Sequence, residues 1–233
     1  MNSIPTLDLI KELYESPMSP NRFDRYLRLL QGSEAKDLML PIAGFNPMAK
    51  PTVLEKVNEL IALRAEDLVE DVIRALIQKS IIDSELTLGL AINVGDDIGG
   101  SWTTRYQTDY ESKYRIKPML KRNFCILFFW SSESYNRHLI EKRIKAYILR
   151  YIYQLEHGSP QTLQDHINIE SFVYSALGLN APLLDNSAKS YLEQRKNTTS
   201  HPEIFNFLYG DDASIHMGYS HHGCDQGYPF FDQ

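Results

Sequence analysis

Leu86-Thr87-Leu88-Gly89-Leu90-Ala91-Ile92-Asn93-Val94 runs into Gly95-Asp96-Asp97-Ile98-Gly99-Gly100-Ser101-Trp102, and Phe124-Cys125-Ile126-Leu127-Phe128-Phe129-Trp130 follows further on. In the first stretch Leu86, Leu88, Leu90, Ile92 and Val94 alternate with smaller residues, which is the two-residue period of a strand. In the last stretch both alternating sets are apolar, so it reads as a strand buried on both faces. The small set Thr87, Gly89, Ala91 and Asn93 predicts a helix packed closely against that face.

Around these strands the pattern is helical. Thr52-Val53-Leu54-Glu55 fits a capping box, and Leu54, Val57, Ile61, Ala65, Leu68, Val72 and Leu76 predict one long helix to about Lys79. Its other face carries Glu59, Glu66, Asp67, Glu70 and Asp71, an acidic outer side. Ser19-Pro20 opens a shorter helix, and Leu40 to Pro51, with three prolines and a glycine, reads as a loop. After the second strand, Ser131 to Ser134 opens a helix with the stripe Ile140, Ile144, Tyr147, Tyr151 and Leu155 and a stop at Gly158. Ser159-Pro160 opens the next. Asp185 caps a short helix, and Ser200-His201-Pro202-Glu203 fits a second capping box whose helix stops at Gly210. The expectation is a predominantly helical α+β fold with a small sheet of two to four strands. It forms a single domain, with N-terminal helices and a loop over 1–51, a core over 52–209 and an ordered tail over 210–233.

Composition supports a packed core. Of the 233 residues 43% are hydrophobic and 11% aromatic, too much apolar surface for a disordered chain. A chain of this size buries about 70% of its unfolded surface without disulfides or metals. The two cysteines, Cys125 in an apolar run and Cys224 in a polar tail, suggest a reducing compartment. Met1 to Asp8 contains no basic segment followed by an apolar one. The longest apolar run has seven residues, against the roughly 18 needed to span a bilayer. The expected location is cytoplasmic, with no membrane partner.

The net charge of −6 conceals an uneven distribution. Residues 1–100 carry −6, residues 101–150 carry +7, and residues 151–233 carry −7. In the middle block Arg105, Lys113, Arg115 and Lys117 are interleaved with Trp102, Tyr106, Tyr110 and Tyr114, a pattern that single-stranded nucleic acid binding uses. No helix-turn-helix, RNA-recognition or zinc-finger spacing accompanies it, so internal pairing with the acidic segments is the favoured reading over nucleic acid.

Two groups carry candidate chemistry. Asp96, Asp97 and Glu133 each follow a strand, where ligand sites in sheet proteins form. They share one edge if the strands are parallel and lie at opposite ends if antiparallel. In the tail, His216, His221, His222 and Cys224 are residue types that bind a divalent transition metal such as zinc. Ser131, Ser132 and Ser134 suit an anion cradle at a helix start. No nucleophile elbow, P-loop, dinucleotide fingerprint or His-Glu-x-x-His is present. The leading expectation is a protein that binds a small molecule or another protein in a cleft near residues 95–114, using Trp102, Arg105 and Tyr106. The alternative is a metal-dependent hydrolase in which the tail residues hold the ion and Asp96, Asp97 or Glu133 acts as ligand or general base.

Overall fold

The computed structural model describes residues 1–17, 19, 21–31, 51–98 and 104–232. Trp102 and all but Pro51 of the predicted loop from Leu40 to Pro51 lie outside the described residues, and Pro51 belongs to a helix. A three-stranded parallel sheet is embedded among ten helices in the described residues, the α+β architecture that the periodicities predict. Strand β1 (Asn2–Ile4) is followed by helices α1 (Leu7–Glu15), α2 (Arg22–Gln31), α3 (Pro51–Ala62) and α4 (Ala65–Gln78). Strand β2 (Gly89–Gly95) then leads to α5 (Arg105–Tyr114) and the short α6 (Lys117–Leu120). Strand β3 (Phe124–Trp130) leads to α7 (Arg137–His157), α8 (Leu163–Ala176), α9 (Asn186–Arg195) and α10 (His201–His216).

The strands lie in the order β1-β2-β3. Gly89 is opposite Phe124, Gly95 is opposite Trp130, and Asn2 to Ile4 run alongside Gly89 to Ala91. Parallel neighbours require a crossover between them, which α1 to α4 and then α5 with α6 supply. At Gly89 the sheet neighbours come close, since a Cβ there would lie 2.7 Å from Ile4 Cδ1 and 3.2 Å from the Phe124 ring.

The long helix expected over 52–79 is two helices. Arg64 takes a left-handed conformation (φ 56°) between α3 and α4, and its N–H bonds the carbonyl of Ile61 instead of continuing the α-helical ladder. The turn reorients the apolar stripe, so Val53, Val57 and Leu60 of α3 are buried together with Leu68, Val69, Val72 and Ile73 of α4. Nor is Thr52 a cap. Because α3 already includes Pro51, Thr52 sits in the first turn, and its buried Oγ1 has no hydrogen-bond partner.

The acidic face of these helices is put to structural use. Glu66 accepts from the N–H groups of Thr6 (2.6 Å) and Leu7 (3.0 Å), and Glu70 accepts from that of Ser3 (2.5 Å). Thr6, at the N-cap of α1, donates its hydroxyl to the carbonyl of Ile92 instead of capping. Glu66 therefore satisfies donors that the start of a helix leaves open.

Further along, Asp185 caps α9 by accepting from the Ala188 N–H (2.8 Å), and α7 stops at Gly158, both as predicted. Other helix starts differ. The cap of α7 is Asn136 rather than the serines, and α8 begins with a capping box of Thr162 and Asp165 rather than at Ser159-Pro160. Ser200 stands at the N-cap of α10 without a side-chain bond, and Glu203 accepts from the Thr198 hydroxyl instead. The helix that starts after Ser200 breaks at Gly210, as predicted, where φ 86° and ψ 176° leave the helical region, and a second helical segment of α10 continues beyond it to His216. Helix α7 is buried on nearly every side, between an apolar cluster around the sheet and a second, aromatic cluster built from α5, α8, α10 and the tail. No helix among the described residues is long and apolar enough to cross a membrane.

Candidate functional site at the carboxyl edge of the sheet

Because β2 and β3 are parallel, the chain leaves both at the same edge, and Asp96, Asp97 and Glu133 come together there. The Ser131 N–H donates to the Gly95 carbonyl (2.9 Å), extending the register one step beyond the strands. Gly95 is required at this point, since a Cβ would lie 2.6 Å from the Trp130 ring. Arg105, the first residue of α5, then reaches back over that ring, its guanidinium 5.6 Å from the centroid.

Asp97 is the hub. It accepts from the Ser132 hydroxyl (2.6 Å), the Ser132 N–H (2.9 Å) and the Ser131 hydroxyl (3.1 Å), and from Arg105 at 2.8 Å. Asp96 shares the Ser131 hydroxyl at 3.2 Å. The anion cradled by these serines is thus the protein's own carboxylate. Burial opposes ionisation of Asp97, but the Ser132 bonds, then the Arg105 charge, outweigh it and hold its pKa below the ordinary value.

Glu133 is shared between two arginines. Arg105 bonds one carboxylate oxygen and Arg143 the other at 2.7 Å. Arg143, buried on α7, also donates to the Tyr135 hydroxyl (2.9 Å) and the Phe128 carbonyl (3.3 Å). That hydroxyl donates to Glu133 and receives the Trp130 N–H at 2.6 Å, which occupies a backbone donor on the outer edge of β3. Burial, opposed by Arg143 but reinforced by Glu133, keeps the Tyr135 hydroxyl protonated well above its usual range.

Beside this network is a cavity of about 320 Å³ lined by Arg105, Tyr106, Asp109, Lys113, Glu133, Arg143 and Tyr209. Lys113 is buried, 2.7 Å from Asp109 and 4.1 Å above the Phe230 ring, and Tyr209 donates to Asp109 at 2.7 Å. Three cations and two carboxylates held in ion pairs form a polar wall whose side chains are fixed before a ligand arrives. Arg105, Asp109 and Lys113 recur every four residues on α5, a signal the sequence contains. Arg143 and Tyr209 arrive from other helices, and only tertiary packing places them here.

The tail residues are arranged otherwise. Among the described residues no group of three or more His, Cys, Asp or Glu side chains is placed to hold a metal ion. The set His216, His221, His222 and Cys224 expected to bind zinc is dispersed. His216 packs against the Tyr106 ring (5.9 Å), His221 pairs with Asp211 (3.1 Å), and His222 gives Asp211 only its backbone N–H (3.3 Å). Cys224 is buried, and its thiol donates to the Gln226 carbonyl (3.1 Å). Burial, then the Asp185 and Asp211 carboxylates, push its pKa up to about 11.

Asp211 organises this tail. It accepts from Asn206 (2.7 Å), His221 and the N–H groups of His222 and Gly223. Burial opposes its charge, yet these bonds lower its pKa to about 2. A carboxylate depressed in the folded state contributes stability that is fully present above its unfolded pKa, about 4, and is lost as pH falls through the folded value. The melting temperature should therefore fall between about pH 4 and pH 2, and Asp211→Asn should flatten that slope while lowering stability at pH 7. Equal slopes in the two proteins would remove Asp211 from the account.

Part of the +7 middle block pairs with acids of the two flanking segments. Arg105 meets Asp97, Arg137 meets Asp71 (3.3 Å), and Arg150 meets Glu170 and Asp232 (both 2.8 Å). The basic segment thus binds acids from both flanking segments, as the favoured reading of the charge map anticipates. Compared with known proteins, the chain matches no family model, no curated sequence and no solved structure, so the chemistry of the site itself carries the functional reading.

Proposed function

We propose that this protein binds a small polar molecule bearing a carboxylate in the cavity at the carboxyl edge of the sheet. The observation that carries the reading is the position of Arg105. It is half-exposed at the cavity wall, begins a helix and is aimed by Asp97 and Glu133. A guanidinium is a planar fork that matches a carboxylate, and Asp109, Glu133 and the hydroxyls of Tyr106 and Tyr209 surround it with partners for a ligand amine or hydroxyl. Crevices beyond the carboxyl ends of parallel strands are where such folds hold ligands. In this reading Asp97 and Glu133 position Arg105, and Tyr106 forms a wall against the ligand.

Calorimetric titration with glutamate, malate and citrate tests it. At least one should bind, and Arg105→Ala should weaken that binding about 10- to 100-fold, the loss of a charge-assisted bond worth roughly 1.5–3 kcal/mol. Arg105→Lys, which keeps the charge but loses the fork, should fall between. Absence of binding by all three compounds, or an Arg105→Ala variant that binds as tightly as the native protein, overturns the proposal.

A further inference from the structure

A second cavity, sharing no lining residue with the first, has a different character. It measures about 650 Å³ and lies between the ends of α4 and α8, the first half of α7 and Phe231 of the tail. Its apolar wall is built by one device used twice. Helices α4 and α8 both end on a left-handed residue, Ser80 (φ 54°) and Gly178 (φ 72°), after which the next N–H bonds a carbonyl five positions back. Ile81 bonds Leu76 in this way (3.0 Å) and Leu179 bonds Tyr174 (2.9 Å). Ile81 and Leu179 are thereby fixed at the cavity, which Leu76, Leu177 and Phe231 also line. Leu179 stays 48% exposed although its backbone is pinned.

Beside this wall stands a row of bases. His138, Lys142 and Lys145 follow at spacings of four and three along α7 and all line the cavity, and Lys79 joins them from the C-cap of α4. None of the lining residues is a carboxylate. The acids of the neighbouring elements are committed elsewhere, Asp71 and Glu141 to Arg137 and Glu170 and Asp232 to Arg150. Lys142 rests over the Phe231 ring, 5.1 Å from its centroid. Among the described residues neither Lys79 nor Lys145 makes an ion pair. Lys79 complements the C-terminal dipole of its helix. Lys142 and Lys145 have no such reason, since they are half-buried in the body of α7, where like charges at this spacing repel.

We infer that this cavity binds a free fatty acid, with the carboxylate at Lys79 and Lys145 and the chain along Ile81, Leu177, Leu179 and Phe231. The two parts of the wall ask for the two parts of such a molecule. An inorganic anion would leave the apolar side chains in water, and an uncharged chain would leave the half-buried Lys145 without a counter-charge. A single-chain anionic amphiphile covers both. The shape favours one molecule over a membrane surface, because the walls converge from four parts of the fold on a space within the roughly 300–1,000 Å³ that small-molecule sites occupy. The inference is independent of the carboxylate site at the sheet edge.

Calorimetric titration with hexanoate, octanoate and decanoate, followed in parallel by methyl NMR, provides the test. Each two-carbon extension should tighten binding by up to about 10-fold, and decanoate should shift the Leu177 and Leu179 methyl resonances, which report this cavity and not the other. Decanol and decyltrimethylammonium, which keep the chain but change the head, should bind at least 10-fold more weakly than decanoate. Lys79→Gln/Lys145→Gln removes the charges while keeping most of each side chain, and should melt as the native protein does and weaken decanoate at least 10-fold. Leu179→Asp, at an exposed position, should weaken it as well by setting a carboxylate against the head group. The inference is overturned if affinity does not rise with chain length, if the leucine methyl resonances do not move, if decanol or decyltrimethylammonium binds as well as decanoate, or if both variants bind decanoate unchanged. Capture of the protein by phosphatidylglycerol vesicles without saturable decanoate binding also overturns it, and would make this face a membrane contact.

Discussion

Replacing Arg150 with Met should lower the melting temperature by about 10 °C. Arg150 is 1% exposed on α7 and is the only cation that bonds Glu170 and Asp232 side chains among the described interactions. Both contacts are bidentate, at 2.8 Å to each oxygen of Glu170 and at 2.8 and 3.0 Å to those of Asp232. Tyr114 adds a bond to Glu170 at 2.7 Å. Burial opposes the charge on Asp232, but Arg150 and then Lys113 hold its carboxyl ionised far below the ordinary range. Met fills a similar volume but leaves two buried carboxylates without this partner.

Breaking a buried pair costs about 3–5 kcal/mol, largely through the uncompensated charge left behind. At roughly 2–4 °C per kcal/mol for a chain of this size, the expected shift follows. The cost should be recoverable. Arg150→Met/Glu170→Leu/Asp232→Leu removes the orphaned charges and should regain most of the loss, since apolar replacement of a whole buried ion cluster is often near neutral. A single variant melting within about 2 °C of the native protein would show that the triad contributes little.

Gly210→Ala should destabilise the protein through its tail. Gly210 has φ 86° within α10, a conformation costly for any residue with a Cβ. The added carbon would also lie 2.7 Å from the Asp225 carbonyl oxygen and 3.0 Å from the Gly227 nitrogen, backbone atoms that no rotamer change can move aside. Strain of this kind costs about 1–3 kcal/mol, and overpacking a further 1–3 kcal/mol.

The readout should be local as well as global. The segment pressed against Gly210 carries Cys224, Tyr228, Phe230 and Asp232, all buried. Displacing it should expose the Cys224 thiol, so labelling by a thiol reagent should accelerate together with a fall in melting temperature of about 5–15 °C. Native-like labelling of Cys224 in a variant of native stability would mean that the helix absorbs the methyl group without moving the tail.

The strands β2 and β3 were readable because a two-residue period and a doubly apolar run are properties of adjacent residues. The same holds for Asp185 as a cap and Gly158 as a stop, which depend on bonds within one turn. Strand β1 was not readable, since three residues show no period. It forms because Leu88, Gly89 and the Glu70 carboxylate meet its backbone. The break at Arg64 was hidden because the three- and four-residue spacing of apolar side chains runs through it unchanged. At the candidate site, Asp97, Glu133, Arg105 and Tyr106 were identifiable as residues beyond strand ends, whereas Arg143, Tyr135 and Tyr209 were not.

By itself, then, the sequence determined several of the helices and two strands, the segments of charge and the residues that follow the strand ends. These rest on interactions spanning a few positions. The tertiary structure decided that the strands are parallel, so that Asp97 and Glu133 converge on Arg105. It also decided that the +7 segment meets acids from both sides, and that the tail buries Cys224. Those outcomes depend on which distant side chains share a low-dielectric interior, where an unpaired charge is costly and a paired one is retained.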